Sequence, residues 1–166
     1  MKVFKDVFTE DEMCSDAMKN LREEEDGLLL VIDSYNIAEG GEDYGIENND
    51  EDAAGDGEGA AQVNIVVHSF GLQTCPMTKK DFQTVIKKYL RKVKGHLEAN
   101  EPEKTDKFMA GMKAWIPKML KDFGEYDFYM GKSCDPDAGL VMAKYEEGAS
   151  FPTFYYILDG LKGEKF

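Results

Sequence analysis

The segment FTEDEMCSD, residues 8–16, sets Glu10, Asp11, Glu12 and Asp16 around Met13 and Cys14. Carboxylates beside a thiol permit three kinds of chemistry: metal ligation, a cysteine nucleophile, or an acidic surface that another protein reads. A nucleophilic cysteine needs a nearby base or a cationic setting to lower its pKa. Cys14 has the opposite, because neighbouring carboxylates favour the protonated thiol. Cys75 precedes Pro76 in a linker, and Cys134 in GKSCDPD has Lys132 two residues away but no histidine close in sequence. Cys134 is therefore the least poor nucleophile, and a turn cysteine is the simpler reading. Three cysteines, widely spaced and without a CxxC pair, point away from a disulfide framework and from a zinc site.

Other candidate ligands are equally sparse. DEDAAGDGEGAA, starting at Asp50, places acids at positions one and three and Gly55 at position six. As an EF-hand it fails at Ala54 and Ala61, where a ligand and a bidentate Glu are required. His68 in VVHSF and His96 in KGHLE are singletons without HExxH spacing, and both read as structural or surface residues. The glycine-rich stretch lacks a GK[ST] ending and is full of acids, so it cannot cradle phosphate.

The elements that must position these groups follow from composition and period. A chain of 166 residues is one domain by default, residues 1–166, and is long enough to bury a core without staples. Its formal net charge of −13 argues against nucleic acid or an anionic membrane as a partner. Residues 38–61 hold nine acids, six glycines and no Lys or Arg. Such a segment buries too little apolar surface to offset its ordering entropy and reads as a flexible acidic loop. Setting its nine acids aside moves the net charge from −13 to −4, so the acidity belongs largely to one loop. The amino-terminal MKVFKDVF is too interrupted by charge for a secretory signal, no stretch reaches membrane-spanning length, and a cytosolic protein is expected.

Strand signals fall at Val3–Phe8, Leu28–Ile32, Val63–Val67, Tyr126–Met130, Leu140–Tyr145 and Thr153–Leu158, all rich in Val, Ile, Phe or Tyr with Gly, Asp or Pro nearby. Between them lies a helical hairpin over residues 78–123. Thr78 and Asp81 form a capping-box pattern ahead of Phe82, Val85, Ile86, Tyr89, Leu90, Val93 and Leu97 at helical spacing. Pro102 suits the first turn of a second helix whose stripe is Phe108, Met112, Trp115, Ile116, Met119, Leu120 and Phe123. Pro117 lies within that stripe and predicts a kink or break near Ala114. The hairpin holds twelve of the twenty basic residues against six acids. Lys87, Lys88, Arg91, Lys92 and Lys94 lie off the apolar stripe, and no aromatics alternate with them to stack bases. A carboxylate-rich protein is the preferred partner.

Several widely spaced blocks carry a resemblance that runs in order over essentially the whole chain: DEMCSD, the acidic loop ending GEG, MTKKDFQTVIKKYLRKVKGHLE followed by EPEK, FGEYDFYMG, DPDAG and DGLKGEK. Together they resemble the translationally controlled tumour protein (TCTP) family. The resemblance implies an α+β fold, a mainly antiparallel β-tent with a projecting helical hairpin and a long flexible acidic loop. The zinc CxxC pairs of the methionine sulfoxide reductases that share this fold class are absent here. It further implies a non-enzymatic cytosolic protein, expected to be a monomer, that binds calcium weakly, associates with tubulin and microtubules, and serves growth and survival. Release from cells without a signal segment belongs to the same picture. An alternative role is nucleotide-exchange promotion, or chaperoning, of a Rheb-like small GTPase. By position, Glu12 corresponds to the acidic residue implicated in GTPase contact. Asn49 and Asp127 fall at or beside the weak calcium positions, and the region from Met77 to about Asp122 covers the tubulin-associated segment. Three departures stand out. The loop reads IENN, Lys132 follows FYMG where the family usually has Glu, and Pro117 sits in the second helix.

Overall fold

The computed structural model describes residues 2–18, 20–38, 62–135 and 138–165. Asn49, the Asp50 segment and almost all of the acidic stretch lie outside them. Strands β1 (Lys2–Asp6) and β2 (Glu12–Ser15) form a three-stranded sheet with the last strand, β11 (Leu161–Lys165), in the order β11-β1-β2. β3 (Arg22–Glu24), β4 (Leu29–Asp33), β7 (Gln73–Thr74), β8 (Asp127–Met130), β9 (Val141–Lys144) and β10 (Thr153–Ile157) make a six-stranded sheet in the order β3-β4-β10-β9-β8-β7. β5 (Asn36–Ala38) and β6 (Gln62–Asn64) pair separately. Every pairing in the three sheets is antiparallel.

The central sheet is buried on both faces, and its period of two sorts the side chains. Leu29, Val31, Met142, Tyr155 and Ile157 join one core, and Leu30, Ile32, Val141, Ala143, Phe154 and Tyr156 join the other. The first core is completed by the helical hairpin, α2 (Lys79–Asn100) and α3 (Thr105–Lys121). The second is completed by Met13 and Cys14 of β2 and by Val66 and Leu72. A sheet with two apolar faces needs a cover on each, and the hairpin and the small sheet supply them.

The hairpin follows its sequence signals closely. Thr78 accepts from the Asp81 backbone N–H at 3.1 Å, and the Asp81 carboxylate accepts from the Thr78 N–H, so both halves of the capping box form. Phe82, Ile86, Tyr89, Val93 and Leu97 are buried, as are Phe108, Met112, Trp115 and Met119 on the second helix. Pro102 opens a short 3-10 turn, Pro102–Lys104, and α3 begins at Thr105. Of the kink or break expected near Ala114, the break does not occur, since α3 runs from Thr105 to Lys121 with Pro117 inside it. An internal proline costs roughly 3 kcal/mol, whereas each large apolar side chain fully buried contributes about 1.5–3 kcal/mol. Met112, Trp115 and Met119 bracket Pro117 and are all buried, so packing outweighs the lost hydrogen bond. On its other flank α3 meets the turn between β3 and β4, where Leu28 packs on Gly111 and Lys107 and Lys118 pair with Asp26 and Glu25 at 3.5 and 4.0 Å.

One strand expectation is corrected. Val63–Val67 is not a single strand, because β6 ends at Asn64 and a six-residue helix, α1 (Ile65–Phe70), begins there. The Asn64 side chain accepts from the N–H groups of Val66 and Val67, and Gly71 at φ 63° closes the helix by donating to the Val67 carbonyl. These two caps override the β preference of an Ile-Val-Val run. No helix among the described residues is long and apolar enough to cross a membrane.

Candidate functional site

The segment from Glu10 to Asp16 is divided by the pleat and the turn before it, so its acids do not converge. Met13, Cys14 and Ser15 are buried in β2, and Asp16 accepts from the Lys2 N–H at 3.0 Å. Glu10 has φ 68° and pairs with Lys162 on β11. Among the described residues no group of three His, Cys, Asp or Glu side chains is placed to hold a metal ion. The Cys14 thiol is pushed far up by burial. The proton is held by loss of solvent, not by the neighbouring carboxylates that the sequence suggested.

Asp11 makes a long-range clip. Its carboxylate accepts from the Ser133 N–H at 3.1 Å and from the Ser133 hydroxyl at 2.6 Å. A Cβ at Gly131 would collide with this carboxylate, so the close approach needs glycine there. Glu12 follows Asp11 in the chain, and Lys132 precedes Ser133. Both side chains are exposed. Glu12 stands opposite Lys5 across a bulge in the β1–β2 ladder. The Lys5 ammonium is held above its ordinary value chiefly by its 2.9 Å pair with Glu164, with Glu12 and Glu10 adding to it.

Asp6 anchors the same region from beneath, although nothing in the sequence reading singled it out. It is wholly buried. One oxygen accepts from the N–H groups of Phe8 and Thr9, both at 2.9 Å, and the other from Gly139 N–H at 3.1 Å and from the Tyr89 hydroxyl at 3.3 Å. Burial first, and then the charge of Asp6, push Tyr89 well above the ordinary tyrosine range, so it remains a donor. The available signal was local: an Asp at the end of an alternating run, bonding the N–H groups two and three residues on, is an Asx-turn.

The second surface is the outer face of α2. Lys87, Lys88, Arg91 and Lys94 are exposed, and among the described residues none of them makes an ion pair. Lys92 differs: it is half-buried and stands over the Phe8 ring, 4.9 Å from its centroid, tying the helix to the amino-terminal turn. His96 packs edge-on against Phe8 and bonds Asn100, and His68 is exposed on α1. Asp127 is exposed at the start of β8. Cys134 is an exposed turn residue at φ 57° whose N–H bonds the Gly131 carbonyl.

The translationally controlled tumour protein family profile matches residues 1–162. The chain belongs to that family. A Plasmodium yoelii yoelii homologue of the family is 36% identical over 174 residues, with both chains covered in full. A Yarrowia lipolytica homologue is 37% identical over 168 residues, with 99% of each covered. Among solved structures, the Schizosaccharomyces pombe protein p23fyp, titled a translationally controlled tumor-associated protein, matches over the whole of both chains with a TM-score of 0.82 and 36% identity. The Caenorhabditis elegans TCTP matches with a TM-score of 0.72 at 23% identity, covering 100% of this chain and 99% of that one, which speaks for the fold alone. The α+β, mainly antiparallel architecture inferred from strand and helix signals is therefore that of TCTP. Within this family member, Glu12, Lys132 and the basic residues Lys87, Lys88, Arg91 and Lys94 of the α2 face are exposed.

Proposed function

We propose that the chain is a non-enzymatic cytoplasmic adaptor of the TCTP type whose basic α2 face binds acidic proteins, with tubulin and microtubules as the first partner. The observation that carries this reading is the exposure of Lys87, Lys88, Arg91 and Lys94 without an ion pair among the described residues. A solvated helix face normally intersperses both signs; here Asp81 is the only acid between Lys79 and Lys94. Reversing Lys87, Lys88, Arg91 and Lys94 to Glu abolishes microtubule co-sedimentation on this reading, and unchanged sedimentation overturns it. Lys92 is kept, because its contact with Phe8 gives it a structural task. Calcium is proposed as a weak regulator near Asn49 and Asp127. Amide NMR titration with calcium against magnesium tests this: selective, saturable shifts at Asp127 support it, and equal shifts for both ions overturn it.

A second reading, promotion of nucleotide exchange on a Rheb-like small GTPase or chaperoning of it, is favoured by the exposed Glu12 beside the Asp11–Ser133 clip. It requires faster nucleotide release with catalytic amounts of protein and loss of that effect in Glu12→Val. Lys132 reverses the charge expected at its position, so Lys132→Glu should strengthen the effect. No acceleration by the natural chain would sink this reading.

A further inference from the structure

The hairpin carries a feature that charge alone does not explain. Between α2 and α3 runs an open groove of about 460 Å³ lined by Leu90, Met109, Met112, Ile116, Pro117 and Lys113. Met112 is its buried floor, Leu90, Met109 and Ile116 are half-buried walls, and Pro117 and Lys113 stand exposed at the edge. Its surface is apolar and adaptable, since unbranched methionine side chains repack around different occupants.

Three observations define the occupant. The rim is basic: Lys113 lines the groove, and Lys87 and Lys94 lie three residues before and four after Leu90, on the same flank of α2. The cations on the opposite flank of α3, Lys107 and Lys118, are engaged with Asp26 and Glu25, whereas Lys87, Lys94 and Lys113 make no ion pair among the described residues. α3 contributes a single acid, Asp106, in its first turn. The length is that of a helical ligand: Met109 to Pro117 is eight residue steps, about 12 Å of helix rise, enough for apolar anchors at i, i+3 or i+4, and i+7. Finally, the walls are the half-buried apolar side chains of Leu90, Met109 and Ile116, which call for an apolar stripe on the occupant.

We propose that this groove docks an acidic amphipathic helix of a partner protein. Its apolar stripe would lie on Leu90, Met109 and Ile116, and its flanking carboxylates would meet Lys87, Lys94 and Lys113. This goes beyond the basic-face reading, because a purely acidic tail would use the rim and leave the apolar walls uncovered.

The test is fluorescence anisotropy of the full chain with a labelled 15-residue helical peptide carrying Leu at i, i+4 and i+7 and Glu on both flanks. A scrambled peptide of the same composition is the control. Saturable binding of the patterned peptide alone is expected, weakened at least tenfold by Met109→Gln or Ile116→Gln and also by Lys113→Glu, whose side chain is exposed and whose replacement leaves the fold intact. Equal binding of both peptides, or Gln variants that are folded by circular dichroism and bind unchanged, overturns the proposal. So does absence of peptide binding with capture instead by vesicles of phosphatidylserine and phosphatidylcholine, which would assign the groove to an anionic membrane. Microtubule co-sedimentation is run on the same variants. Met109→Gln leaves it intact if both readings hold. Peptide binding without any sedimentation by the natural chain removes the tubulin reading and keeps the groove.

Discussion

Asp6 is a residue on which several separate parts of the chain meet. Its carboxylate holds the turn at Phe8 and Thr9, the α2 residue Tyr89 and the loop residue Gly139. Removing it leaves two buried donors, the Tyr89 hydroxyl and the Gly139 N–H, without an acceptor, each costing about 1–3 kcal/mol, and frees the part-buried N–H groups of Phe8 and Thr9 as well. Asp6→Ala therefore destabilises the fold by about 3 kcal/mol or more in urea unfolding, while Tyr89→Phe, which deletes one bond, costs about 1 kcal/mol. Equal losses for the two would remove Asp6 from this role. Tyr126 gives a pH signature. Burial, helped by Glu146 and Asp122, raises its pKa to about 12. Because the folded value lies above that of the free phenol, about 10, its contribution is fully present below pH 10. It is lost as pH rises through 12. Tyr126→Phe should flatten the decline in stability across that window, and an unaltered decline would place its cause elsewhere.

The two helices differ in how much of their formation is local. α2 begins at a complete capping box, so Thr78→Ala removes the bond to the Asp81 N–H and costs about 1 kcal/mol. α3 persists against its own proline. Pro117→Ala restores a donor for the Lys113 carbonyl and should raise stability by about 2 kcal/mol, within the proline penalty, measurable as a shift in thermal midpoint. A loss of stability would mean that the ring of Pro117 contributes packing in the groove that alanine does not replace. Capping box, apolar stripe and the position of the inter-helix turn are legible in sequence because each depends on residues within a few positions of one another. The persistence of α3 is not, since it depends on Met112, Trp115 and Met119 finding the sheet.

At the scale of the molecule, a sheet buried on both faces couples the two cores. Leu29 and Val31 point to the hairpin, while Leu30 and Ile32, alternating with them, point to the small sheet. Neither cover can leave without exposing β4 and β10 on that side. Unfolding should therefore be a single transition in which the fluorescence of Trp115, the sole tryptophan and part of the hairpin core, coincides with far-ultraviolet circular dichroism. A Trp115 transition at lower denaturant would make the hairpin a separate unit. The same layering leaves the outer face of α2 exposed on one side of the molecule and the Glu12 face on the small sheet, so the two proposed partner surfaces are carried by different layers.

The helical hairpin, most of the strands of the central sheet, the concentration of acid in residues 38–61 and, through ordered blocks from DEMCSD to DGLKGEK, the family are all legible in one dimension. These depend on local period and composition, and both survive in one dimension. The tertiary structure decided what depends on distant pairs. Asp11 meets Ser133 across 122 positions, and Asp6 reaches Tyr89 and Gly139 across 83 and 133. Lys92 turns in to Phe8 while Arg91 and Lys94 face solvent. Short edge strands such as Arg22–Glu24 and Gln73–Thr74 have no apolar alternation of their own and exist through the ladders they join. No window of residues contains the partner in any of these cases, because burial and hydrogen-bond geometry belong to the assembled layers.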